Sequence, residues 1–338
     1  MALKWESQGS AYGEAIQYMN YRKEGIITSF QTPWLSFNKA GTGGLEWQST
    51  IIIGGRPGHG KTLVKDQIIR EGWKLNSNSP FRVLEFSLEM NPKTVALREF
   101  SANLKEDYNN LLSVPSPVSD EILDKCQVYS DEHKTYPRDI VKDAPTITQF
   151  KKIVEDYMKT YGKKNEDGTI DYVNTIITID HSILMKRDKG EKDSLTMLYN
   201  LGEALTHLKR IYPIIFIVLN QLNRSIDDPK RNEDGKHGNL VNTADFFGSD
   251  AMLMHADLLC AIDVPKKRHL KLYGPDKFII VDDTVVTINF LKCRNGSTGM
   301  CFFKAYWNAF TLLETPPPNR DNKVKTAYSY PPPDQIDY

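Results

Sequence analysis

Gly55, Gly60, Lys61 and Thr62 have the types and spacing of a phosphate-binding loop, G-x-x-x-x-G-K-T. Glycines let backbone N–H groups converge on phosphate oxygens with no Cβ in the way. A helix that starts at the loop adds unpaired N–H groups and the positive end of its dipole. Gly58 and His59 lie in the same loop. In such a loop Lys61 reaches the β- and γ-phosphates of a nucleotide and the Thr62 hydroxyl holds Mg²⁺.

Three further points in the chain carry suitable chemistry. Thr175–Asp180 is β-branched until it closes on an acid, so Asp180 is expected on the metal side of a nucleotide site. The run from Val83 to Leu88 ends at Glu89, a carboxylate where α/β sheets place chemistry. Ile214–Leu219 ends in Asn220-Gln221, neutral amides able to sense a γ-phosphate without adding charge.

These groups need strands ending at one edge and helices to pack them. The β-branched run Thr50–Ile53 before the loop reads as a strand, and Val64, Ile68, Ile69 and Leu75 give the following helix its apolar face. Pro92 starts a helix carrying Val95, Leu97, Phe100 and Leu104. Thr146 and Gln149 have capping-box spacing ahead of Ile147, Phe150, Val154 and Tyr157. Leu195, Leu198, Leu201, Leu205 and Leu208 mark another helix. Residues 106–145, poor in periodicity, are expected as short helices and loops, and 225–242 as a mobile loop. From 257 onward short strands suggest hairpins, with Asp282-Asp283 and Asn295-Gly296 as turns; Lys266 to His269 reads as a solvated hairpin tip. Lys292 and Arg294 sit two apart at a strand end, before a tight turn. An amphipathic helix at 14–24, with Ile16, Met19 and Tyr21, stands outside the main domain and needs cover, expected from a neighbouring subunit.

Composition narrows the class. Forty-three basic residues balance 43 acidic ones in 338, so no global field draws the chain to nucleic acid, and polyanion binding must come from local geometry. Cys126, Cys260, Cys293 and Cys301 include no C-x-x-C pair and read as reduced packing residues. No apolar run approaches a membrane span and no signal-peptide core opens the chain, so a cytoplasmic protein is expected.

Together these pieces resemble the motor domain of the DnaB-type replicative DNA helicases, a branch of the RecA-like ATPases. Five blocks carry the resemblance over residues 12–314: Gly43-Gly44-Leu45 with the phosphate loop; Phe86-Ser87-Leu88-Glu89-Met90; Ile179-Asp180 with Leu184-Met185; Gln221-Leu222-Asn223-Arg224; and Lys292-x-Arg294-Asn295-Gly296-x-x-Gly299. It implies ATP and Mg²⁺ as ligands, Glu89 as the general base that orients the attacking water, Gln221 as γ-phosphate sensor, and Arg98 against the nucleotide base. Lys292 and Arg294 would act in trans, on ATP held by the next subunit of a homo-hexamer. The helix at 14–24 occupies the family's linker-helix position. DNA contacts would come from Lys186, Arg187, Arg224 and the backbone at Gly248 and Ser249; the family's Asp-Leu-Arg-Glu-Ser-Gly stretch stands here as Asp245-Phe246-Phe247-Gly248-Ser249-Asp250, without the Arg.

The fold expected is therefore α/β, a RecA-like P-loop NTPase core with a mostly parallel sheet flanked by helices and C-terminal β-hairpins. It divides into an arm and linker helix (1–45), the motor (46–315) and a Pro-rich extended or disordered tail (316–338). The function expected is an ATP-driven hexameric DNA helicase moving 5′ to 3′ on single-stranded DNA, from a phage or mobile element. The family's N-terminal collar domain is expected to be missing, and a primase or loader is a candidate partner. Two rivals are a nucleotide-gated DNA-binding or loading protein that does not unwind, and a filament-forming recombinase.

Overall fold

The computed structural model describes residues 7–26, 28–233 and 239–321. Nine strands form one sheet: β1 (Ser49–Gly55), β2 (Arg82–Ser87), β3 (Arg138–Val141), β4 (Thr175–Asp180), β5 (Ile214–Gln221), β6 (Leu258–Asp263), β7 (Val285–Cys293), β8 (Gly299–Tyr306) and β9 (Thr311–Thr315). Their order is β9-β8-β7-β6-β1-β5-β4-β2-β3. The six strands from β6 to β3 pair in parallel, and β6 to β9 pair antiparallel. The principal helices are α1 (Gln8–Lys23), α2 (Lys61–Leu75), α3 (Pro92–Leu104), α4 (Asp120–His133), α5 (Ile147–Tyr161) and α6 (Ser194–Ile211).

Every residue of β1 is buried, because a parallel strand with helices on both faces has no solvent side. Strand alternation then divides the core. Ile51, Ile53, Ile215, Ile217 and Leu219 face α2, where Val64, Ile68 and Ile69 meet them, joined by Phe30, Trp34 and Phe37 from the N-terminal segment. Ile52, Phe86, Ile179, Phe216 and Val218 face the other way, onto Phe150 and Val154 of α5 and Leu198, Leu201 and Leu205 of α6. The capping box forms as its spacing predicts: Gln149 N–H donates to Thr146 Oγ1 at 3.3 Å and Thr146 N–H to Gln149 Oε1 at 3.0 Å. Asn91 caps α3, accepting from Thr94 N–H, with Pro92 in its first turn.

The structure corrects three expectations. Residues 106–145 contain the 14-residue α4 and the edge strand β3, too short for alternation to announce it, held by pairing with Val83–Phe86. The loop expected at 225–242 contains short helices at Arg224–Asp227 and Pro229–Glu233; Arg56 pairs with Asp227 at 2.8 Å and Arg231 pairs with Asp245. Residues 266–269 belong to a 3-10 turn (Pro265–Arg268) instead of a hairpin tip; Lys266, Lys267 and His269 are exposed as expected, but Arg268 is buried, paired with Asp263 at 2.5 Å and donating to the carbonyls of Asn239 and Ile226. Of the expected hairpin strands, Phe278–Ile279 pairs with Leu272–Tyr273 and bridges to Arg320, apart from the main sheet.

Helix α1 is longer than expected, and every residue of it is exposed or half-buried. Tyr12, Ile16 and Met19 face solvent, while Arg22 and Tyr18 reach Glu46 at 2.7 and 2.9 Å. All four cysteines are free thiols. The tail beyond residue 321 lies outside the described residues. Among the described residues, no helix is long and apolar enough to cross a membrane.

Candidate nucleotide site

Parallel pairing brings the expected groups to one edge. Gly55, the last residue of β1, lies opposite Gln221, the last of β5; Ile179 lies opposite Val218, and Ser87 opposite Asp180. The C-terminal ends of β1, β5, β4 and β2 therefore deliver the phosphate loop, Gln221, Asp180 and Glu89 to the same crevice.

The loop's glycines are required by its shape. Gly58 and Gly60 have φ of +75° and +97°, and a Cβ on Gly55 would stand 2.7 Å from Ile262 and 2.9 Å from the Lys61 side chain. Gly60 is the N-cap of α2 and has no side chain to occupy the first-turn N–H groups, which stay available to an anion. Lys61 Nζ donates to the carbonyls of Gly55 and Arg56 at 2.8 and 3.2 Å. Burial lowers its pKa to about 8 against the pull of Asp180 and Glu89, so it is a cation at neutral pH.

His59, expected at the nucleotide, sends its side chain elsewhere. Its buried Nδ1 lies 3.1 Å from Val264 N and 3.2 Å from Asp263 Oδ1, which ties the loop to the end of β6. Only its backbone can serve a phosphate. Lys267 braces the same loop, donating to Gly58 O at 2.7 Å with its ammonium 4.6 Å from the Trp307 ring centroid. Its place in a basic run gave no sign of this.

Asp180 is buried, and its Oδ2 makes no hydrogen bond, its nearest cation being Lys65 Nζ at 3.6 Å. A buried carboxylate oxygen without a partner, at a strand end on the same edge as the phosphate loop, fits a site that takes Mg²⁺. Among the described residues no group of three or more His, Cys, Asp or Glu could hold a metal by protein ligands alone. The remaining oxygens would have to come from the nucleotide.

Glu89 is exposed, and its Oε2 lies 3.9 Å from His181 Nε2, which lies 3.3 Å from Gln221 Nε2. His181 is buried. That burial lowers its pKa, partly countered by Glu89 and Asp180, so the ring is neutral. Arg98 of α3 stands over the Phe310 ring at 5.1 Å, beside the turn that carries Trp307.

Behind this edge lies a charge network that no local pattern announces. Lys65 is fully buried, paired with Glu85 of β2 and 2.9 Å from Asp66. Arg138 of β3 closes on Glu85 from the other side at 2.6 Å and on Glu99 of α3. Burial alone would raise the Glu85 pKa, but Lys65 and Arg138 outweigh it and hold it down to about 2, from an ordinary 4.5. Since the folded value lies below the unfolded one, the stabilisation is present above about pH 4.5 and is lost as the pH falls toward 2. Urea unfolding between pH 6 and 3 is expected to show roughly 2 kcal/mol of acid-labile stability that Glu85→Gln lacks. Equal slopes in both proteins would show that Glu85 does not carry it.

Lys292 and Arg294 occupy the opposite edge of the sheet. Cys293 of β7 lies opposite Leu258, at the start of β6, and Arg294 pairs at 3.0 Å with Asp257, whose Oδ2 accepts from Thr50 N–H at the start of β1. Lys292 Nζ donates to Leu253 O at 2.7 Å. Five residue steps separate Thr50 from Gly55, about 17 Å of strand, and the phosphate loop lies beyond. These cations cannot reach the loop of their own chain.

Residues 29–311 match the DnaB-like helicase C-terminal domain. The chain belongs to that family. It is 28% identical over 233 residues to the replicative DNA helicase DnaB of Helicobacter pylori strain J99, and 28% identical over 235 residues to that of strain 26695. Each alignment covers 68% of this chain and 43% of the relative, so the chain spans less than half the length of those proteins. Among solved structures, an isolated ATPase domain superposes with a TM-score of 0.69 at 16% identity, covering 90% of this chain and 98% of that one. A DnaB-like replicative helicase, solved to describe its interactions with primase, superposes at 0.68 with 15% identity, covering 92% and 67%. At such identities the superpositions show the fold alone, a mostly parallel α/β sheet with flanking helices and antiparallel C-terminal strands.

Of the residues expected to meet DNA, Lys186, Arg187 and Arg224 are exposed. Arg187 donates to Lys192 O at 2.9 Å within its own loop. The segment 245–250, expected to face DNA, docks on the end of β5: Phe247 N–H donates to Gln221 O at 2.9 Å, Asn223 N–H to Asp245 O at 2.6 Å, and the Phe246 ring leaves no room for a Cβ on Gly54. Gly248 has φ +64° and precedes the short helix Ser249–Leu253. Gln221 thus joins the phosphate edge to residues 245–248 through the backbone, a link the isolated motifs did not reveal.

Proposed function

We propose that this chain is the motor of a replicative DNA helicase, hydrolysing ATP with Mg²⁺ and moving as a homo-hexameric ring 5′ to 3′ along single-stranded DNA to unwind duplex. The observation that carries the reading is the placement of Arg294 and Lys292 at the sheet edge opposite their own phosphate loop. A complete site then needs a second copy, whose cations enter at the γ-phosphate. An arginine supplied across an interface stabilises transition-state charge and makes turnover depend on assembly.

Within one subunit the loop N–H groups and Lys61 bind and orient the triphosphate. Thr62 and Asp180 would hold Mg²⁺, which when bound neutralises charge on the β- and γ-phosphate oxygens. Glu89 orients the attacking water and takes its proton, and Gln221 registers the γ-phosphate and passes its state to residues 245–248. Arg98 lies against the base. Lys186, Arg187, Arg224 and the backbone at Gly248 and Ser249 meet the DNA backbone, giving salt-dependent binding with little sequence preference. Helix α1, whose apolar residues this chain leaves uncovered, packs on the next subunit; a primase or loader is a candidate partner, and the setting is cytoplasmic.

The test is ATP turnover with and without single-stranded DNA, with strand displacement from a forked duplex followed in parallel. Turnover is expected to rise severalfold with DNA and displacement to require ATP. DNA-dependent assembly without displacement would instead support a nucleotide-gated loading protein.

A further inference from the structure

We propose that His181 is a positioning residue for γ-phosphate sensing: its ring sets the side-chain amide of Gln221 and places it beside Glu89. This rests on the roles proposed above for Gln221 and Glu89. The ring follows Asp180 at the end of β4 and is only 6% exposed. Its Nε2 faces the Gln221 amide at 3.3 Å and the Glu89 carboxylate at 3.9 Å, while its Nδ1 is buried with no hydrogen-bond partner.

That unpartnered nitrogen selects between two amide orientations. If Gln221 donates its Nε2–H to His181 Nε2, that nitrogen is the bare one and the ring proton must sit on Nδ1, which leaves a buried N–H unsatisfied. If the amide is turned over, Gln221 Oε1 accepts from His181 Nε2–H, and Nδ1 becomes a bare acceptor. Amide oxygen and nitrogen are assigned from such networks, and a buried N–H without a partner is the rarer and costlier of the two. The second orientation therefore holds. In it both N–H bonds of Gln221 point away from His181 and are free for a γ-phosphate oxygen. His181 donates its one Nε2–H to the sensor, and the exposed Glu89 carboxylate stands 3.9 Å from the same nitrogen, so one ring lies between the sensing and the water-orienting groups.

The test is a double-mutant cycle read by nucleotide binding as well as by turnover. His181→Phe keeps a buried ring and removes both nitrogens. With Mg²⁺ present, its affinity for ADP is expected to stay within twofold of the parent. Its preference for a non-hydrolysable ATP analogue over ADP is expected to fall about tenfold, and kcat to fall more than tenfold, with KM for ATP rising in step with the lost affinity. Gln221→Ala is expected to lose the same preference, and His181→Phe added to it to lose no more. Gln221→Glu keeps the acceptor for His181 but offers no N–H, so it too is expected to lose the preference, whether or not His181→Phe folds. If Gln221→Ala lowers the preference and His181→Phe leaves it intact or adds its full effect independently, the proposal falls while the sensing role stands. If Gln221→Ala leaves the preference unchanged, the sensing role falls and the proposal with it. Retention by Gln221→Glu of a preference that Gln221→Ala loses would overturn the amide orientation argued here.

Discussion

Replacing Arg294 with Ala is expected to lower ATP turnover by about 10³-fold or more, the range for a trans-acting arginine, while leaving nucleotide affinity within about twofold. The split follows from position. The Arg294 side chain is 59% exposed and pairs with Asp257 at 3.0 Å, so its loss costs the fold little. It stands beside the start of β1 while Lys61 hangs from the loop beyond the end of that strand. The catalytic contribution proposed for it would therefore fall on a neighbour's nucleotide. Mixing the inactive Arg294→Ala and Lys61→Ala proteins provides the decisive measurement: mixed rings contain some sites with an intact loop on one side and an intact arginine on the other, so turnover is expected to recover in part. No recovery at any ratio, or an Arg294→Ala protein as active as its parent, would refute the trans arrangement.

The second large effect lies in the buried network. Lys65→Met is expected to destabilise the protein by about 3–5 kcal/mol, because it leaves Glu85, Asp66 and Asp180 facing one another with the half-buried Arg138 as the remaining cation. In a thermal melt at pH 7 this is a fall of roughly 10 °C. Asp66→Asn should behave in the opposite sense. Burial raises the Asp66 pKa to about 6 despite Lys65, so its folded pKa lies above its ordinary 3.8 and ionising it at pH 7 costs stability. Its favourable contribution is full below about pH 4 and lost as the pH rises through 6. Asp66→Asn is thus expected to be neutral or stabilising at pH 7, with that advantage fading toward pH 4. A Lys65→Met protein within 1 kcal/mol of its parent would show that the network does not hold α2 to β2.

The sequence exposed the chemistry wherever it is local. The phosphate loop is legible because a tight anion-binding turn needs glycine at particular positions, and Gly58 and Gly60 do adopt positive φ. The parallel strands are legible because burial on both faces leaves unbroken β-branched runs such as Ile51–Ile53 and Ile176–Ile177. The cap at Thr146 is a contact three residues long. What stayed hidden depends on long separations: Lys65 meets Glu85 20 residues away, and Glu85 meets Arg138 53 residues away. A lone Lys on an otherwise apolar helix face does not say which acid will neutralise it.

By itself the sequence determined the local conformations that present the groups proposed to react: Lys61 and Thr62 at a helix start, Asp180, Glu89 and Gln221 at strand ends. Hydrophobic periodicity determines which face of an element is buried, and turn chemistry where it stops. Neither names an element's neighbour. Only the tertiary structure decided that β5 lies between β1 and β4, which sets Gln221 beside His181 and Glu89. It alone sent the His59 side chain to β6 and Lys267 onto the phosphate loop, and put Arg294 at the far edge of the sheet. Strand order and register are fixed by packing summed over the whole core, and they decide which charges share a crevice and which must act on another molecule.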